Sequence, residues 1–449
     1  MVPRATDRYN TSTPKLDITL REVPTGTVGE SGDDIWFKYD DSVVHADSGD
    51  RLSARAISVR MPVLATPYDH SATLVFFDNL LLESDTRAEL AQLDRRDVSD
   101  VAGLLGRVGA ECAGAVSVWP HGMTSKEPEY RLLSVAEVEA LFDERHGERF
   151  SQALIESMQV MSGAQRKLVL RRHGDAWALP LRGAPSTHLL KRSSGRYHGL
   201  VANELACLRL AKAVGLAVPE AWMAGNTGPW PDGSTEPRLI AITRFDRIMN
   251  ADATPDSHGG FASVSRLHQE DLCQITGRRP SAKYQINGGP TFRDLATTIR
   301  RYSVAADTDL QAALTMAVVN VCLGNGDAHG KNFALLSDAE GARRLAPFYD
   351  IVSTDLYPAL TPTFSMVFGH ADRATALSTH DLDRVARDFG VTRSLVRTTV
   401  ERIATMVPQV LDDVLGGVER DVGTASPVLA EMSALVRARA AQLEGLLVQ

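Results

Sequence analysis

The chain of 449 residues has no run of eighteen consecutive apolar residues, so a membrane-spanning helix is not expected. Its N-terminus, M-V-P-R-A-T-D-R-Y-N-T-S-T-P-K, lacks the apolar stretch of a secretory signal, and residues 1–15 read as a disordered tail. Cysteine is scarce. Cys112, Cys207, Cys273 and Cys322 are scattered without metal-ligand spacing, and three of them lie in apolar, helix-like contexts. Buried free thiols and a cytoplasmic location are therefore the expectation. A basic excess is also missing: the formal charge of −8 argues against a dominant nucleic-acid-binding surface, though it leaves room for a local basic patch. There is no internal repeat and no long low-complexity tract.

What is present is the composition of a soluble globular protein, 44% hydrophobic and 23% charged, at a length that predicts two or three domains. The most informative stretch runs from Asn320 to Thr354 and contains G-D-A-H-G-K-N-F followed by P-F-Y-D-I-V-S. Asp327 and Asn332 stand five positions apart, the D-x-x-x-x-N spacing of a kinase catalytic loop. In that arrangement the Asp accepts the acceptor hydroxyl's proton and the Asn amide oxygen holds a metal ion. Asp350 follows a predicted hairpin, where a kinase carries its second magnesium-binding carboxylate. Few carboxylates combined with substrate phosphates suit Mg²⁺. Read alone, N-G-D is also a common turn signal. The apolar helix-like run Leu310 to Leu323, delivering a loop of Asp, His, Lys and Asn, favours the functional reading.

The rest of the chain falls into a kinase-like order. Strand-like runs at Leu16–Leu20, Asp34–Tyr39 and Ala56–Val63, with a helical segment near Arg87–Leu93, predict a compact α+β unit over residues 16–133. Residues 134–248 predict a β-rich lobe. In it, Ser162, Gly163, Ala164 and Gln165 lead through Lys167 into a strand, as in a phosphate-covering loop, with Asp175–Leu179 as hairpin partner. A second strand ends on Lys191, and a helix over Leu200–Val214 carries Glu204 in its first turn, with Gly215 as C′ residue. A strand Lys and a helix Glu form the ion pair that orients the lysine onto nucleotide phosphates. The strand Leu239–Thr243 and Arg244-Phe-Asp-Arg occupy the hinge position, which places Thr243 and Phe245 beside the adenine. Residues 249–449 predict a mainly helical lobe, with helices at Phe292–Tyr302, Leu310–Leu323, Asp381–Asp388, Ser394–Leu411 and Pro427–Val448. The predicted fold class is α+β: a two-lobed, protein-kinase-like fold with an extra N-terminal subdomain.

These motifs together resemble the HipA-like serine/threonine kinases, the toxin component of bacterial HipBA toxin–antitoxin modules. F-F-D-N-L-L at Phe76–Leu81 and C-A-G-A-V at Cys112–Val116 look like the family's N-terminal subdomain. S-G-A-Q-R-K at Ser162–Lys167 looks like its phosphate-binding loop, T-H-L-L-K its lysine strand, and R-F-D-R its hinge. Q-E-D-L-C-Q at Gln269–Gln274, with Lys283 and Tyr284, matches a family signature. The resemblance implies ATP and Mg²⁺ as cofactors, Asp327 as catalytic base, Asn332 and Asp350 as magnesium ligands, Lys191 as phosphate-binding lysine, and His329 and Lys331 as residues that shape the loop. It implies phosphorylation of protein serines, including on aminoacyl-tRNA synthetases. It also implies a small helix-turn-helix antitoxin of the HipB type as partner, through which alone DNA is contacted, and no membrane partner. The family often autophosphorylates a serine two positions before Ser162; this chain has Val160 there, which leaves Ser162 as the candidate hydroxyl. Two other classes use the same residues: a small-molecule phosphotransferase, and a catalytically weak kinase fold acting as co-repressor of a DNA-binding antitoxin.

Overall fold

The computed structural model describes residues 13–47, 53–123, 127–142, 147–159, 167–193, 197–224, 239–249, 262–423 and 425–448. The phosphate-loop candidates Ser162, Gly163, Ala164 and Gln165, together with Val160, lie outside the described residues, as do residues 1–12 and most of the predicted loop after Ala224.

The first unit is a four-stranded antiparallel sheet of β1 (Thr13–Leu20), β2 (Val23–Ser31), β3 (Asp34–Tyr39) and β4 (Val116–Pro120), ordered β3-β2-β1-β4. Arg21 and Glu22 both have positive φ, 51° and 66°, the conformation that a two-residue hairpin turn demands to match strand twist. Helices His70–Asp78, Ser84–Leu93 and Val101–Val108 belong to the same unit. The expected strand at Ala56–Val63 does not form. Its backbone bonds instead with side chains, Ile57 N–H donating to the Tyr39 hydroxyl (2.9 Å) and Val59 N–H to Glu270 (3.0 Å). β2 went unpredicted because V-P-T-G-T-V-G reads as a loop; pairing on both sides overrides that local preference.

The second sheet holds β5 (Glu129–Leu133), β6 (Lys167–His173), β7 (Ala176–Leu181), β8 (His188–Arg192), β9 (Ala221–Met223) and β10 (Leu239–Thr243), in the order β5-β7-β6-β8-β10-β9. β5 falls within the residues predicted for the first unit but pairs here, with β7. Alternation along these strands sorts their side chains onto two faces. Leu168, Leu170, Leu190 and Ala241 join the core of the first unit, while Ile240 and Ile242 join the core of the helical lobe. Lys167 and Lys191 are direct cross-strand partners, so both ammonium groups stand on the same face.

The rest of the chain is chiefly helical, but not wholly so. β11 (Arg247–Met249) pairs with β12 (Val264–Arg266), and β13 (His268–Asp271), β14 (Ala334–Ser337) and β15 (Arg343–Leu345) form a small sheet carrying the predicted hairpin. Helices Phe292–Tyr302 and Pro427–Val448 have the predicted bounds, while Ala306–Leu323 begins four residues before the expected Leu310 and Thr379–Phe389 extends the expected Asp381–Asp388 at both ends. The helix Arg393–Val422 runs past the expected end at Leu411, through Gly416 and Gly417. Its buried stripe continues as Leu411, Leu415, Val418 and Val422, and packing of that stripe outweighs about 1 kcal/mol of lost propensity per glycine. All four cysteines are buried and free. Among the described residues no helix is long and apolar enough to cross a membrane.

Candidate active site

The helix Ala306–Leu323 delivers the D-x-x-x-x-N loop. It ends on Gly324 in the left-handed conformation, φ 67°, where a side chain would collide with Leu435 and Asp355. The loop then folds on itself: Asn325 accepts from the Asp327 N–H (3.1 Å), and the Asn332 Nδ2 donates to the Asp327 carbonyl (3.0 Å). With its amide nitrogen so used, Asn332 has its amide oxygen left for a cation. Asp350 sits across the cleft in the left-handed region, φ 58°, a strained position for a non-glycine residue that aims its carboxylate at Lys191.

Lys191 is the electrostatic centre. Its ammonium donates to Glu204 and to Asp350, each at 2.6 Å, so the predicted strand–helix pair is present. Burial alone would lower the Lys191 pKa, but the two carboxylates outweigh it and hold the ammonium charged. Burial likewise works to raise the Asp350 carboxyl, yet Lys191 and Lys167 pull it well below the usual carboxylate range. The Lys167 ammonium, in contrast, has no hydrogen-bond or ion-pair partner among the described residues although the residue is only 7% exposed. Burial lowers its pKa against the opposing pull of Asp350. Asp327 stays open to water on the cleft floor, while the surrounding protein pushes its carboxyl up to about 6; Lys283 opposes this and Asp350 adds to it. That value suits a general base.

Lys167, Lys191, Asp327, His329, Asn332 and Asp350 all line one cavity of about 710 Å³, along with the hinge candidates Thr243 and Phe245. Glu204 lies behind Lys191. Burial lowers His329 to about 3, so its imidazole is neutral, and its buried Nδ1 meets no hydrogen-bond partner among the described residues. Lys167 and Lys191 on one wall give the cleft positive charge that suits an anion. Among the described residues no three His, Cys, Asp or Glu side chains could hold a metal by themselves. Asn332 and Asp350 could supply the sparse oxygen set that Mg²⁺ accepts beside phosphates.

Lys331 points away from the chemistry. Its ammonium is clamped by Asp271 (2.7 Å) and by the backbone and side-chain oxygens of Asn79 (2.9 and 3.0 Å), fastening the catalytic loop to the first unit. A second clamp joins Glu83 to Lys283 at 2.6 Å. Both Asn79 and Glu83 line the cavity, and the sequence does not announce them, because their partners are some 200 or more residues away. The R-F-D-R segment has a similar structural duty. Arg244 and Arg247, with Arg266, surround the fully buried Glu111, and Asp246 accepts from the Gly114 N–H (2.7 Å). Burial works to raise the Glu111 carboxyl, but the three guanidiniums hold it below its usual value. A lone Glu in the apolar run V-G-A-E-C-A-G-A-V was the available signal, since a buried charge must be paired.

A β-rich lobe, a helical lobe, a Lys–Glu pair and a D-x-x-x-x-N loop facing an Asp across the cleft define the protein-kinase-like class. Within it, residues 16–119 match the HipA N-terminal domain and residues 160–411 the HipA-like C-terminal domain. Y4mE of Sinorhizobium fredii, named as a kinase, is 32% identical over 401 residues, 85% of this chain and 87% of its own. The serine/threonine-protein kinase toxin HipA of Shewanella oneidensis is 27% identical over 395 residues, 84% of each chain. The fold matches the HipA, HipB and operator DNA complex of the Shewanella oneidensis toxin–antitoxin system with a TM-score of 0.77 at 22% identity, covering 97% of this chain and 99% of that one. The chain belongs to the HipA-like kinase family.

Proposed function

We propose that the protein is an ATP- and Mg²⁺-dependent serine/threonine kinase of the HipA toxin type, acting in the cytoplasm on a serine of a translation-related protein such as an aminoacyl-tRNA synthetase. The observation that carries this reading is the Lys191 ammonium bridging Glu204 and Asp350 across from Asp327 and Asn332 in one cavity. Glu204 fixes Lys191 toward the α- and β-phosphates, and Asp327 takes the proton as the serine oxygen attacks the γ-phosphorus and ADP departs. Asn332 and Asp350 would hold Mg²⁺, which when bound neutralises charge building on the transferred phosphoryl group. His329 and Lys331 keep the loop in shape, and Thr243 and Phe245 form the adenine edge of the cleft. Residues Ser162 to Gln165 would cover the triphosphate, with Ser162 as the autophosphorylation site. A phosphate there adds about −1.5 to −2 charges beside ATP's own. A small helix-turn-helix antitoxin of the HipB type, and operator DNA only through it, complete the reading by analogy with the Shewanella assembly.

The test is incubation of pure protein with radiolabelled ATP and Mg²⁺, with and without cell extract, followed by phosphosite mapping. Label on a serine of an extract protein supports the reading. A protein that binds Mg·ATP but labels nothing, itself included, points to the co-repressor alternative.

A further inference from the structure

Asp327 has its backbone fixed several times over and its carboxylate fixed once. Its N–H donates to the Asn325 side-chain oxygen (3.1 Å), and its carbonyl accepts from His329 N–H (2.8 Å) and Asn332 Nδ2 (3.0 Å). Among the described residues the carboxylate accepts a single hydrogen bond, from the Tyr284 hydroxyl to Oδ1 at 3.1 Å. The hydroxyl makes no other there. One phenol thus sets the orientation of the side chain read as the base.

Tyr284 is tied to the catalytic loop from both sides along the chain. Before it, the Lys283 carbonyl accepts from Gly330 N–H (3.1 Å). After it, Gln285 N–H donates to the Ser365 carbonyl (2.9 Å), and the Gln285 side-chain oxygen accepts from Val367 N–H (2.9 Å). Ser365 donates its own N–H (2.8 Å) and its hydroxyl (2.7 Å) to the Gly326 carbonyl, one residue ahead of Asp327. The turn that follows closes on the Tyr284 carbonyl through Asn287 N–H (2.9 Å) and Gly289 N–H (3.0 Å). The ring meets the His329 ring edge-on at 5.4 Å, and the Lys283 ammonium stands 5.3 Å from its centre. Support of this kind is what holds a reacting group in a productive geometry.

Tyr284 lines the same cavity as Asp327, His329 and Asn332. Burial and the Asp327 charge push its hydroxyl above the ordinary phenol value, so it remains a donor at neutral pH. With Oδ1 engaged, Oδ2 is the carboxylate oxygen without a hydrogen bond among the described residues. Without the hydroxyl, Asp327 would keep its backbone seat while its carboxylate turned about the side-chain bonds. A reacting group misplaced by about 1 Å can lose on the order of 100-fold in rate.

We propose that Tyr284 is a positioning residue for phosphoryl transfer, its hydroxyl holding the Asp327 carboxylate so that Oδ2 takes the acceptor's proton. The inference rests on the kinase reading above and adds a residue that acts through the base and not through the nucleotide.

The experiment uses the full chain with Mg²⁺, radiolabelled ATP and cell-extract protein as acceptor, and compares wild type, Tyr284→Phe, Asp327→Ala and the double variant. Phenylalanine keeps the ring against His329 and removes only the hydroxyl. Tyr284→Phe is expected to lower the transfer rate at saturating ATP roughly 10- to 100-fold. The KM for ATP, the calorimetric Kd for Mg·ATP and the melting temperature should stay at wild-type values. In the Asp327→Ala background the same substitution should change the residual rate by less than about twofold, because the group it acts through is gone. A wild-type rate in Tyr284→Phe overturns the inference. So does a rate loss accompanied by weaker Mg·ATP binding or a lower melting temperature, which makes Tyr284 a structural residue. An equal loss in both backgrounds overturns it too, since Tyr284 would then act independently of Asp327. A wild-type protein that labels nothing overturns the kinase reading itself, and the wild-type sample shows that without any variant.

Discussion

Lys167→Met should make the protein more stable and a poorer nucleotide binder at once. Lys167 is 7% exposed and its ammonium has no hydrogen-bond or ion-pair partner among the described residues, while its cross-strand partner Lys191 is held by two carboxylates. Desolvating an unpaired ammonium costs several kcal/mol, softened here by the more distant pull of Asp350. Like charges directly opposite on a strand pair add a further penalty. Methionine has nearly the same length and no charge. Replacing whole buried ion pairs by apolar residues of similar volume is often neutral or stabilising by about 1–4 kcal/mol, and for this single charge on the open side of the cleft a gain of about 1 kcal/mol is expected. Binding should move the other way. A charge-assisted hydrogen bond to phosphate is worth about 1.5–3 kcal/mol, so the Kd for Mg·ATP should rise roughly 10- to 100-fold. Urea denaturation of the free protein and calorimetric titration with Mg·ATP measure the two arms. A variant that is less stable yet binds Mg·ATP normally would refute the reasoning, because it would make Lys167 a structural residue.

Glu111→Gln should destabilise the protein by about 3–5 kcal/mol in urea denaturation, since it leaves Arg244 and Arg247 to Asp246 and removes the carboxylate that pairs with the buried Arg266; a change under about 1 kcal/mol would mean that the cluster is hydrated. Glu270→Gln should raise stability at pH 8 and have no effect near pH 4. Burial pushes the Glu270 carboxyl up from 4.5 to about 7, partly opposed by the Ser58 and Val59 hydrogen bonds. The folded state therefore binds this proton more tightly, and its stabilising contribution, complete below the unfolded pKa, is lost as pH rises through 7. The full effect is on the order of 3 kcal/mol, and melting curves for both proteins from pH 4 to 8 that run parallel would contradict it. Asp350→Asn should weaken Mg·ATP binding roughly tenfold or more by removing a charged ligand, while Lys191 keeps Glu204; unchanged affinity by calorimetry would move the metal site elsewhere.

The grouping of the cleft residues was legible in the sequence because it is written in short spacings. Asp327, Asn332 and Asp350 lie within one loop–hairpin–loop unit, and the helix carrying Glu204 follows the Lys191 strand directly, so local pattern was enough to pair them. The helix Leu200–Ala213, read as Leu200–Val214 with Gly215 beyond it, was also readable, and Gly215 has φ 90°. What sequence did not disclose depends on contacts between distant segments. Lys331 and its lock on Asn79 span 252 positions, and nothing local to either residue specifies the other. Ala56–Val63 has strand-like composition, but Tyr39 and Glu270 supply partners that no pattern foretells. The R-F-D-R segment read as a hinge is equally an ionic clasp on the first unit, which only the fold reveals.

The central claim is that Asp327 is the base of a phosphotransferase, and Asp327→Ala tests it most directly when turnover and nucleotide affinity are measured on the same preparation. The Asp327 carboxylate accepts from the Tyr284 hydroxyl and bonds neither Lys167 nor Lys191. The account predicts a fall of roughly 10²–10⁴ in the rate of phosphate transfer from radiolabelled ATP to serine, with the Kd for Mg·ATP close to wild type. Wild-type turnover in the purified variant would contradict it.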